Sequence, residues 1–331
     1  MNGRLILRSI HVFYGLFISR HSYFSIVLCM PFMCELKARF SSAFKQVQEA
    51  SSSVVDSPKL HVPELHVFDA IPSTNQTLWE RVEQGSKPGA VAIALEQKSG
   101  RGQWGRSWNS PPGGLYLSWY IAPKLPVENA AQLTLCATWG VARVLRDCGL
   151  PVKIKWLNDL VIGHKKLGGI LTETRLKGSV IDRAVVGVGI NWSNPVPDTG
   201  INIKDAILDA VPQSNKLGWN ADKIDSLETL AALVWWGLER AYHQWKAKGV
   251  TSFLADYLEL LSHLYCPVSV GDRCGVVVGV NAKGELRVRL EEGDSDNNQD
   301  PKKDDKEISL PPGSISLGYA WNGDRPAKSR G

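Results

Sequence analysis

The chain has 331 residues, of which 44% are hydrophobic and 21% are charged, and these globular proportions exclude disordered, collagen-like and low-complexity proteins for its bulk. Lys and Arg exceed Asp and Glu by five, but most of this excess lies in the first 60 residues, so the rest of the chain is nearly neutral, unlike a nucleic-acid-binding domain. The six cysteines form no CxxC pair and the seven histidines form no HExxH motif, which argues against a zinc enzyme and indicates reduced thiols.

The amino terminus is an acid-poor leader. Residues 1–34 contain no Asp or Glu, and the first acidic residue is Glu35. The Lys and Arg residues within 1–34 are Arg4, Arg8 and Arg20. This composition is typical of an organelle transit peptide, which we predict over residues 1–45 and which would address a chloroplast or a mitochondrion.

Two other interpretations of the leader stay open. Residues 22–34 have the apolar character of a secretory signal core, although they are too short to cross a bilayer. Translation from Met30 or Met33 would give a shorter cytoplasmic form. A Ser-rich linker is predicted over residues 46–63, and the folded body is predicted from residue 64.

The first two thirds of the body predict a sheet backed by helices. Apolar β runs cover residues 64–68, 90–96, 115–122, 153–156, 159–163, 167–176 and 180–190. Apolar residues at helical spacing predict a helix over 127–148 that ends at Gly149. Because most of the later strands follow one another through tight turns, the pattern predicts a mixed, largely antiparallel sheet in an α+β fold rather than a doubly wound one.

The carboxyl-terminal third changes character. Two amphipathic helices are predicted over residues 224–263 with a break near Gly249. A small β barrel is predicted over residues 266–322, and residues 323–331 are predicted as a tail. Its strands are predicted at 267–271, within 274–290 and at 314–319, with a disordered acidic loop over 291–307.

The most informative segment is 97-QKSGRGQWGRSW-108. It contains the spacing G-x-G-x-x-G, but the residues that follow it, 109-NSPPGG-114, cannot begin the helix that a dinucleotide-binding turn requires. The glycines instead predict a loop whose backbone comes close to a ligand. Arg101 and Arg106 supply guanidinium groups suited to phosphate or carboxylate, and Trp108 offers a flat ring for stacking.

A second polar segment, residues 155–173, places cations beside a hairpin. Lys155, Asn158 and Asp159 fall at one strand end, and Lys166 follows a tight turn. Two lysines, an amide and a carboxylate suit a polyanion, although solvated hairpin charges are the plainer alternative.

Two shorter motifs complete the set. Asn191 ends the apolar run 187-GVGINW-192, where its amide would be a polar anchor. The segment 72-PSTNQT-77 is a polar turn, for which helix capping is an equally simple explanation.

Together these motifs resemble those of biotin–protein ligases. GRGQWGRSW is similar to the family's GRGRxGRxW loop, KWLNDLVIGHKKLGGILTE to its KWPNDxY…KKxGGILxE segment, GVGINW to GIGIN and STNQT to its STN start. The resemblance spans roughly residues 64–320 in the right order. It implies a class II synthetase-like biotin/lipoate ligase catalytic domain over residues 64–265, followed by an SH3-like domain over 266–322.

The resemblance implies an ATP- and Mg²⁺-dependent ligase that converts biotin to biotinyl-5′-AMP and transfers the biotinyl group to a lysine of a biotin carboxyl-carrier domain, of the acetyl-CoA carboxylase type. Lys166 and Arg101 would be catalytic. The residues implied to bind biotin are Ser73, Thr74, Asn75, Gln97, Arg101, Gly102, Gln103 and Lys166. The residues implied to bind ATP or the adenylate are Arg101, Arg106, Trp108, Lys155, Asn158, Asp159 and Asn191. No firm metal ligand is implied, since Mg²⁺ would arrive with ATP, with Asp159 as a candidate contact.

The sequence departs from the family pattern in three places. Gln103 replaces the second arginine of GRGR, Leu157 replaces a proline, and no helix-turn-helix domain precedes residue 64. The resemblance therefore implies neither a nucleic-acid partner nor a membrane, and it allows a homodimer. The alternatives are a lipoate or octanoyl ligase of the same superfamily and a biotin-binding regulator without catalysis.

Overall fold

The computed structural model describes residues 20–51, 61–208, 224–291 and 307–319. The helices are α1 (Arg20–Ser51), α2 (Thr74–Glu83), α3 (Ala131–Asp147), α4 (Ile203–Leu208), α5 (Leu227–Lys248) and α6 (Thr251–Leu260). The strands are β1 (Leu65–Ile71), β2 (Val91–Gln97), β3 (Gly114–Ile121), β4 (Leu125–Pro126), β5 (Lys153–Lys155), β6 (Asp159–Ile162), β7 (Lys165–Lys177), β8 (Val180–Asn191), β9 (Pro267–Val270), β10 (Arg273–Val280), β11 (Leu286–Leu290) and β12 (Glu307–Leu310). Within these ranges every helix is too short or too polar to span a lipid bilayer.

The large sheet has the strand order β1-β2-β3-β8-β7-β6-β5, and the short β4 pairs with β8. Only β1 and β2 pair in parallel, through a connection that contains α2, and the other neighbours are antiparallel. The prediction of a mixed, largely antiparallel sheet is therefore confirmed. Its longest hairpin, β7–β8, turns at Gly178, whose φ of +63° suits glycine.

Helices α3 and α5 cover one face of this sheet and cross where both carry glycine. A Cβ atom at Gly140 would lie 2.5 Å from the Gly237 carbonyl oxygen, and one at Gly237 would lie 2.7 Å from the Gly140 carbonyl oxygen. The two backbones can therefore approach so closely only because both residues lack a side chain. The predicted helix end at Gly149 is confirmed, since α3 ends at Asp147, Cys148 is its C-cap, and Gly149 follows with φ +93°.

Helix α1 shows that the folded body begins before residue 64, the start that the sequence predicted. Leu36, Phe40, Ala43, Phe44 and Val47 are buried in the main hydrophobic core. The Phe44 ring stacks on the Trp235 ring of α5 at a centroid distance of 5.1 Å. Residues 36–47 thus belong to the fold. The prediction that the first 45 residues lie outside the fold is therefore wrong for residues 36–45. The prediction of a linker that begins at residue 46 is wrong as well. Residues 1–19 and 52–60 of the predicted leader and linker lie outside the described residues.

The carboxyl-terminal sheet has the order β12-β11-β10-β9, all antiparallel, which fits the expected SH3-like domain. The strand predicted at 314–319 is wrong: the strand is β12, and residues 311–319 form an irregular segment. Gly313 has φ +90°, and the carbonyls of Gly318 and Tyr319 bond to histidine side chains instead of a neighbouring strand. Most of the predicted acidic loop and the predicted tail lie outside the described residues.

A buried carboxyl group on α5 predicts a pH dependence of stability. Burial raises the pKa of Glu239 to about 7, and Trp119 donates its indole N–H to the Glu239 carboxylate at 3.0 Å. Since the pKa of an unfolded Glu is near 4.5, this group contributes stability that is full below pH 4.5 and is lost as the pH rises through 7. The loss amounts to about 3 kcal/mol.

Glu239→Gln is therefore expected to raise the melting temperature at pH 8 and to flatten the fall in stability between pH 5 and pH 8, because glutamine keeps an acceptor for the indole without the charge. Thermal unfolding at pH 8 measures the melting temperature, and chemical unfolding at a series of pH values measures the free energy of unfolding. The control is Glu259→Gln, at an exposed position on α6. Parallel stability curves for Glu239→Gln and the original chain would contradict the prediction.

Candidate active site

A cavity of about 390 Å³ lies where the loop after β2, the start of α2, strands β7 and β8 and the segment after β12 meet. The structure brings to this cavity all but one of the site residues predicted from the sequence. They are Ser73, Thr74, Asn75, Gln97, Arg101, Gly102, Gln103, Arg106, Trp108, Lys155, Asn158, Asp159 and Lys166.

One end of the cavity is a buried polar network. The Ser118 hydroxyl oxygen lies 2.7 Å from Thr74 Oγ1 and 2.6 Å from Asn75 Oδ1. Gln97 Oε1 accepts from the backbone N–H of Thr74 at 2.8 Å and from its hydroxyl at 3.1 Å. Ser73 begins α2, but its side chain makes no capping hydrogen bond. Capping therefore does not explain this motif, whose next two side chains belong to the network.

The network holds more acceptors than protons. The Ser118 hydroxyl has one proton, so it can donate to Thr74 or to Asn75 but not to both at once. Because the Thr74 hydroxyl gives its own proton to Gln97 Oε1, the oxygen that Ser118 does not reach keeps an unfilled acceptor position at a buried site, which is unfavourable unless a donor arrives. This end of the cavity therefore suits a ligand that presents N–H groups.

The loop after β2 is an ordered turn that only glycine permits at its base. A Cβ at Gly100 would lie 2.4 Å from the Trp108 carbonyl oxygen and 2.5 Å from Ser110 Oγ. Arg101 and Ser107 face each other in a β-bridge, and the Gly102 N–H donates to the Arg106 carbonyl at 2.7 Å. The loop thus carries its two arginines on a short hairpin at the mouth of the cavity.

Glu173 on β7 fixes one of these arginines, although the sequence analysis assigned it no role. Its Oε1 lies 3.0 Å from Arg101 Nη2, and its Oε2 accepts from Trp79 Nε1 at 3.0 Å. Glu173 ends the GGILTE segment of the second motif, but nothing in that segment indicates a contact with Arg101. In this structure the Arg101 guanidinium is about half exposed, and Glu173 holds it at the rim.

At the other end of the cavity, Asp159 joins two lysines. Its Oδ1 lies 2.7 Å from Lys166 Nζ and its Oδ2 lies 3.5 Å from Lys155 Nζ. Burial lowers the pKa of Lys155, the Asp159 carboxylate opposes this shift, and the neighbouring Lys166 adds to it. Two ammonium groups are therefore held close together around one carboxylate, an arrangement suited to a ligand that carries several negative charges.

Trp108 covers Gly189 and faces Lys166. A Cβ at Gly189 would lie 2.6 Å from Trp108 Nε1, and Lys166 Nζ lies 5.2 Å from the centre of the indole ring. The ring is therefore positioned by the absence of a side chain on β8. Its predicted stacking on adenine stays a prediction.

The side chains of the two asparagines at the hairpin hydrogen-bond mainly to backbone carbonyl groups. Asn158 donates to the Ile170 carbonyl at 2.8 Å and also lines the cavity. Asn191 does not line it: its Nδ2 donates to the Lys166 and Ile201 carbonyls, and its Oδ1 accepts from Asn194. Asn191 thus anchors the backbone beneath Lys166, and its predicted role in holding the adenylate stays a prediction.

The residues of the cavity do not form a dedicated magnesium site. Asp159 is the only carboxylate among the described residues that line it, and both its oxygens contact an ammonium group or a hydroxyl group. The described ranges contain no cluster of three His, Cys, Asp or Glu side chains able to hold a metal ion. A divalent ion would therefore depend on ligands brought by a substrate.

Comparisons with known proteins agree on one family. Residues 67–191 match the sequence model of the Biotin/lipoate A/B protein ligase family. The chain is 33% identical over 227 residues to the bifunctional ligase/repressor BirA of Escherichia coli, covering 66% of this chain and 67% of that protein. It is 35% identical over 137 residues to the chloroplastic biotin–protein ligase 1 of Arabidopsis thaliana, covering 39% of this chain and 36% of that protein.

A solved structure shares the fold. The biotin protein ligase from Aquifex aeolicus in complex with biotin and ATP superimposes with a TM-score of 0.55 at 26% identity, covering 70% of this chain and 93% of the other. The matched sequence range runs from β1 to the end of β8, and so includes every predicted site residue.

Proposed function

Since this chain belongs to the biotin protein ligase family, we propose that it condenses biotin with ATP to biotinyl-5′-AMP and then transfers the biotinyl group to a lysine of a biotin-dependent carboxylase. The chain is an enzyme of the ligase class. The observation that carries the proposal is the pairing, in one cavity, of a proton-poor polar network with a cationic cluster.

The polar network suits the ureido ring of biotin. A ring N–H group would fill the acceptor position that Ser118 leaves open at Thr74 or at Asn75. A pocket built to receive N–H donors rejects analogues without them, because its buried acceptors would then stay unpaired. We therefore propose that Thr74, Asn75 and Gln97 distinguish biotin from lipoate, whose dithiolane ring offers no N–H.

The cationic cluster suits the first chemical step. A biotin carboxylate oxygen attacks the α-phosphorus of ATP, the new O–P bond forms, and pyrophosphate leaves. Carboxylate and phosphate repel each other, by about 4 kcal/mol for unit charges 4 Å apart at an effective dielectric constant near 20. Cations fixed before the reaction offset this repulsion without reorganising, and Lys166, Lys155, Arg106 and Arg101 are the candidates. Mg²⁺, when it accompanies ATP, would bind phosphate oxygens.

In the second step the neutral amine of the acceptor lysine attacks the biotinyl carbonyl carbon, the new C–N bond forms, and the bond from that carbon to the phosphate oxygen breaks so that AMP leaves. The proton of the amine would pass to Asp159 or to a phosphate oxygen. Until then the mixed anhydride must be kept from water, and the hairpin that carries Arg101 and Arg106 lies at the mouth of the cavity. We propose that the acceptor is the biotin carboxyl-carrier domain of an acetyl-CoA carboxylase.

The direct test mixes the full chain with labelled biotin, MgATP and a carboxyl-carrier domain. We expect label on the carrier lysine and, without the carrier, biotin-dependent exchange of pyrophosphate into ATP. Lipoate in place of biotin should give no exchange. Exchange with lipoate but not biotin would favour a lipoate ligase, and binding of biotin without any exchange would favour a regulator.

We also propose that the leader is an organelle transit peptide that is cleaved before Leu36. The acid-poor composition and the similarity to a chloroplastic relative support the first part. The burial of Leu36 and Phe40 in the core supports the second, because removal of α1 up to residue 45 would expose that core. A start at Met30 or Met33 would likewise keep the buried face intact.

This proposal predicts the mature amino terminus. Mass spectrometry of the protein purified from the organelle is expected to find a first residue before Leu36. Recombinant chains beginning at residue 34 and at residue 46 provide the comparison, and the shorter chain should melt at a lower temperature. A mature protein that begins after Leu36 would contradict the proposal.

A further inference from the structure

The segment after β12 is hydrogen-bonded to the catalytic domain through the side chains of two histidines. The ring of His164, in the turn between β6 and β7, bonds to the Tyr319 carbonyl oxygen at 2.9 Å. The ring of His263, after α6, bonds to the Gly318 carbonyl oxygen at 3.1 Å. Because a carbonyl oxygen only accepts, each imidazole must donate an N–H to it. Two successive residues of this segment are thus held by their backbone, whatever their side chains.

The Tyr319 side chain extends from this fastened backbone to the cationic cluster. Its hydroxyl donates to Asp159 Oδ2 at 2.9 Å. Lys155 Nζ lies 4.3 Å from the centre of the Tyr319 ring, within the range of a cation–π contact. Tyr319 therefore touches two members of the cluster, from a part of the chain 160 residues away from Asp159.

The position of the Asp159 carboxylate decides where both ammonium groups lie. One oxygen contacts Lys166, and the other is shared between Lys155 and the Tyr319 hydroxyl. A carboxylate can rotate about its terminal bond, and a hydrogen bond from a fixed hydroxyl restricts that rotation. Without the hydroxyl, Oδ2 would keep only the longer, 3.5 Å contact to Lys155. The carboxylate could then rotate, and Lys166 would no longer have a partner at a fixed position.

We propose that Tyr319 is a positioning residue, whose hydroxyl orients Asp159 between Lys155 and Lys166 and so links the carboxyl-terminal domain to adenylation. The inference rests on the proposed function. It assigns the segment 311–319, of which residues 314–319 were predicted as a barrel strand, to the wall of the active site.

Tyr319→Phe in the full chain tests the role of the hydroxyl, since it keeps the ring and the backbone bonds to both histidines. We expect the maximal rate of biotinyl-AMP formation to fall about tenfold, as for loss of a hydrogen bond to a charged group, while the KM for biotin and the melting temperature stay unchanged. Tyr265→Phe is the matched control, because that side chain is 74% exposed.

A double-mutant cycle separates positioning from a general structural effect. In an Asp159→Ala background, Tyr319→Phe should have little further effect on the rate, because the oxygen that accepts from the hydroxyl is gone. An unchanged rate in Tyr319→Phe, or the same tenfold loss with Ala at position 159, would overturn the inference while leaving the proposed function intact. An inactive original chain would overturn both.

Discussion

Lys166→Ala is expected to slow the formation of biotinyl-AMP by about a thousandfold. Lys166 lines the cavity and its ammonium group lies 2.7 Å from Asp159, on the side where the two anionic substrates must meet. Loss of a unit charge at such a site removes about 4 kcal/mol of stabilisation, which corresponds to this factor in rate. Single-turnover measurement of biotinyl-AMP, with biotin affinity determined separately, distinguishes loss of rate from loss of binding.

The structure supplies a matched control for this prediction. Lys165 precedes Lys166 on β7 but is exposed, since neighbouring side chains on a strand point to opposite faces. Lys165→Ala should therefore retain the original rate. The fold of Lys166→Ala should survive, because Lys155 and the Tyr319 hydroxyl still contact Asp159. A rate for Lys166→Ala within threefold of that for Lys165→Ala would exclude the assigned role.

Most of the site was predictable because its residues lie in short, contiguous motifs. The β2–β3 loop and the β6–β7 hairpin each carry their charged residues within a dozen or so positions. Glycines in and around these motifs mark the positions where the backbone or an aromatic ring packs too closely for a side chain. Local patterning also predicted the strands, since apolar runs ended by tight turns have few other structures to form. Gly100 and Gly189 illustrate this, because both make room for Trp108, at its carbonyl and at its ring.

The features that could not be predicted from the sequence depend on distant contacts or on competing patterns. No local pattern could reveal that Tyr319 reaches Asp159 or that Glu173 holds Arg101. The residues 314–319 predicted a strand, but among the described residues no strand pairs with their backbone. In α1 the signal was present: the buried residues Leu36, Phe40, Ala43, Phe44 and Val47 follow helical spacing. The leader-like composition of the residues before them outweighed it.

Gly187→Ala is expected to weaken biotin binding by roughly 10- to 100-fold. An added Cβ would lie 2.4 Å from Asn75 Oδ1 and 3.0 Å from Asn75 Cγ, too close for the present arrangement. Gly187 does not have a positive φ, so alanine strains no backbone and the displacement falls on the Asn75 side chain. The contact of Asn75 with Ser118 would then break, along with the acceptor offered to the ureido ring. A lost buried hydrogen bond of about 1–3 kcal/mol gives this range.

The mechanism of this loss can be tested with Asn75→Ala. If the alanine at 187 acts only by displacing Asn75, the double variant should bind biotin as weakly as Asn75→Ala alone, as measured by titration calorimetry. The ATP affinity of all three variants should stay near that of the original chain, because the cationic cluster is at the other end of the cavity. A penalty from Gly187→Ala that persists without the Asn75 amide would mean that the added methyl group distorts β8 itself, and the assignment of Asn75 to the ureido ring would then lose its support.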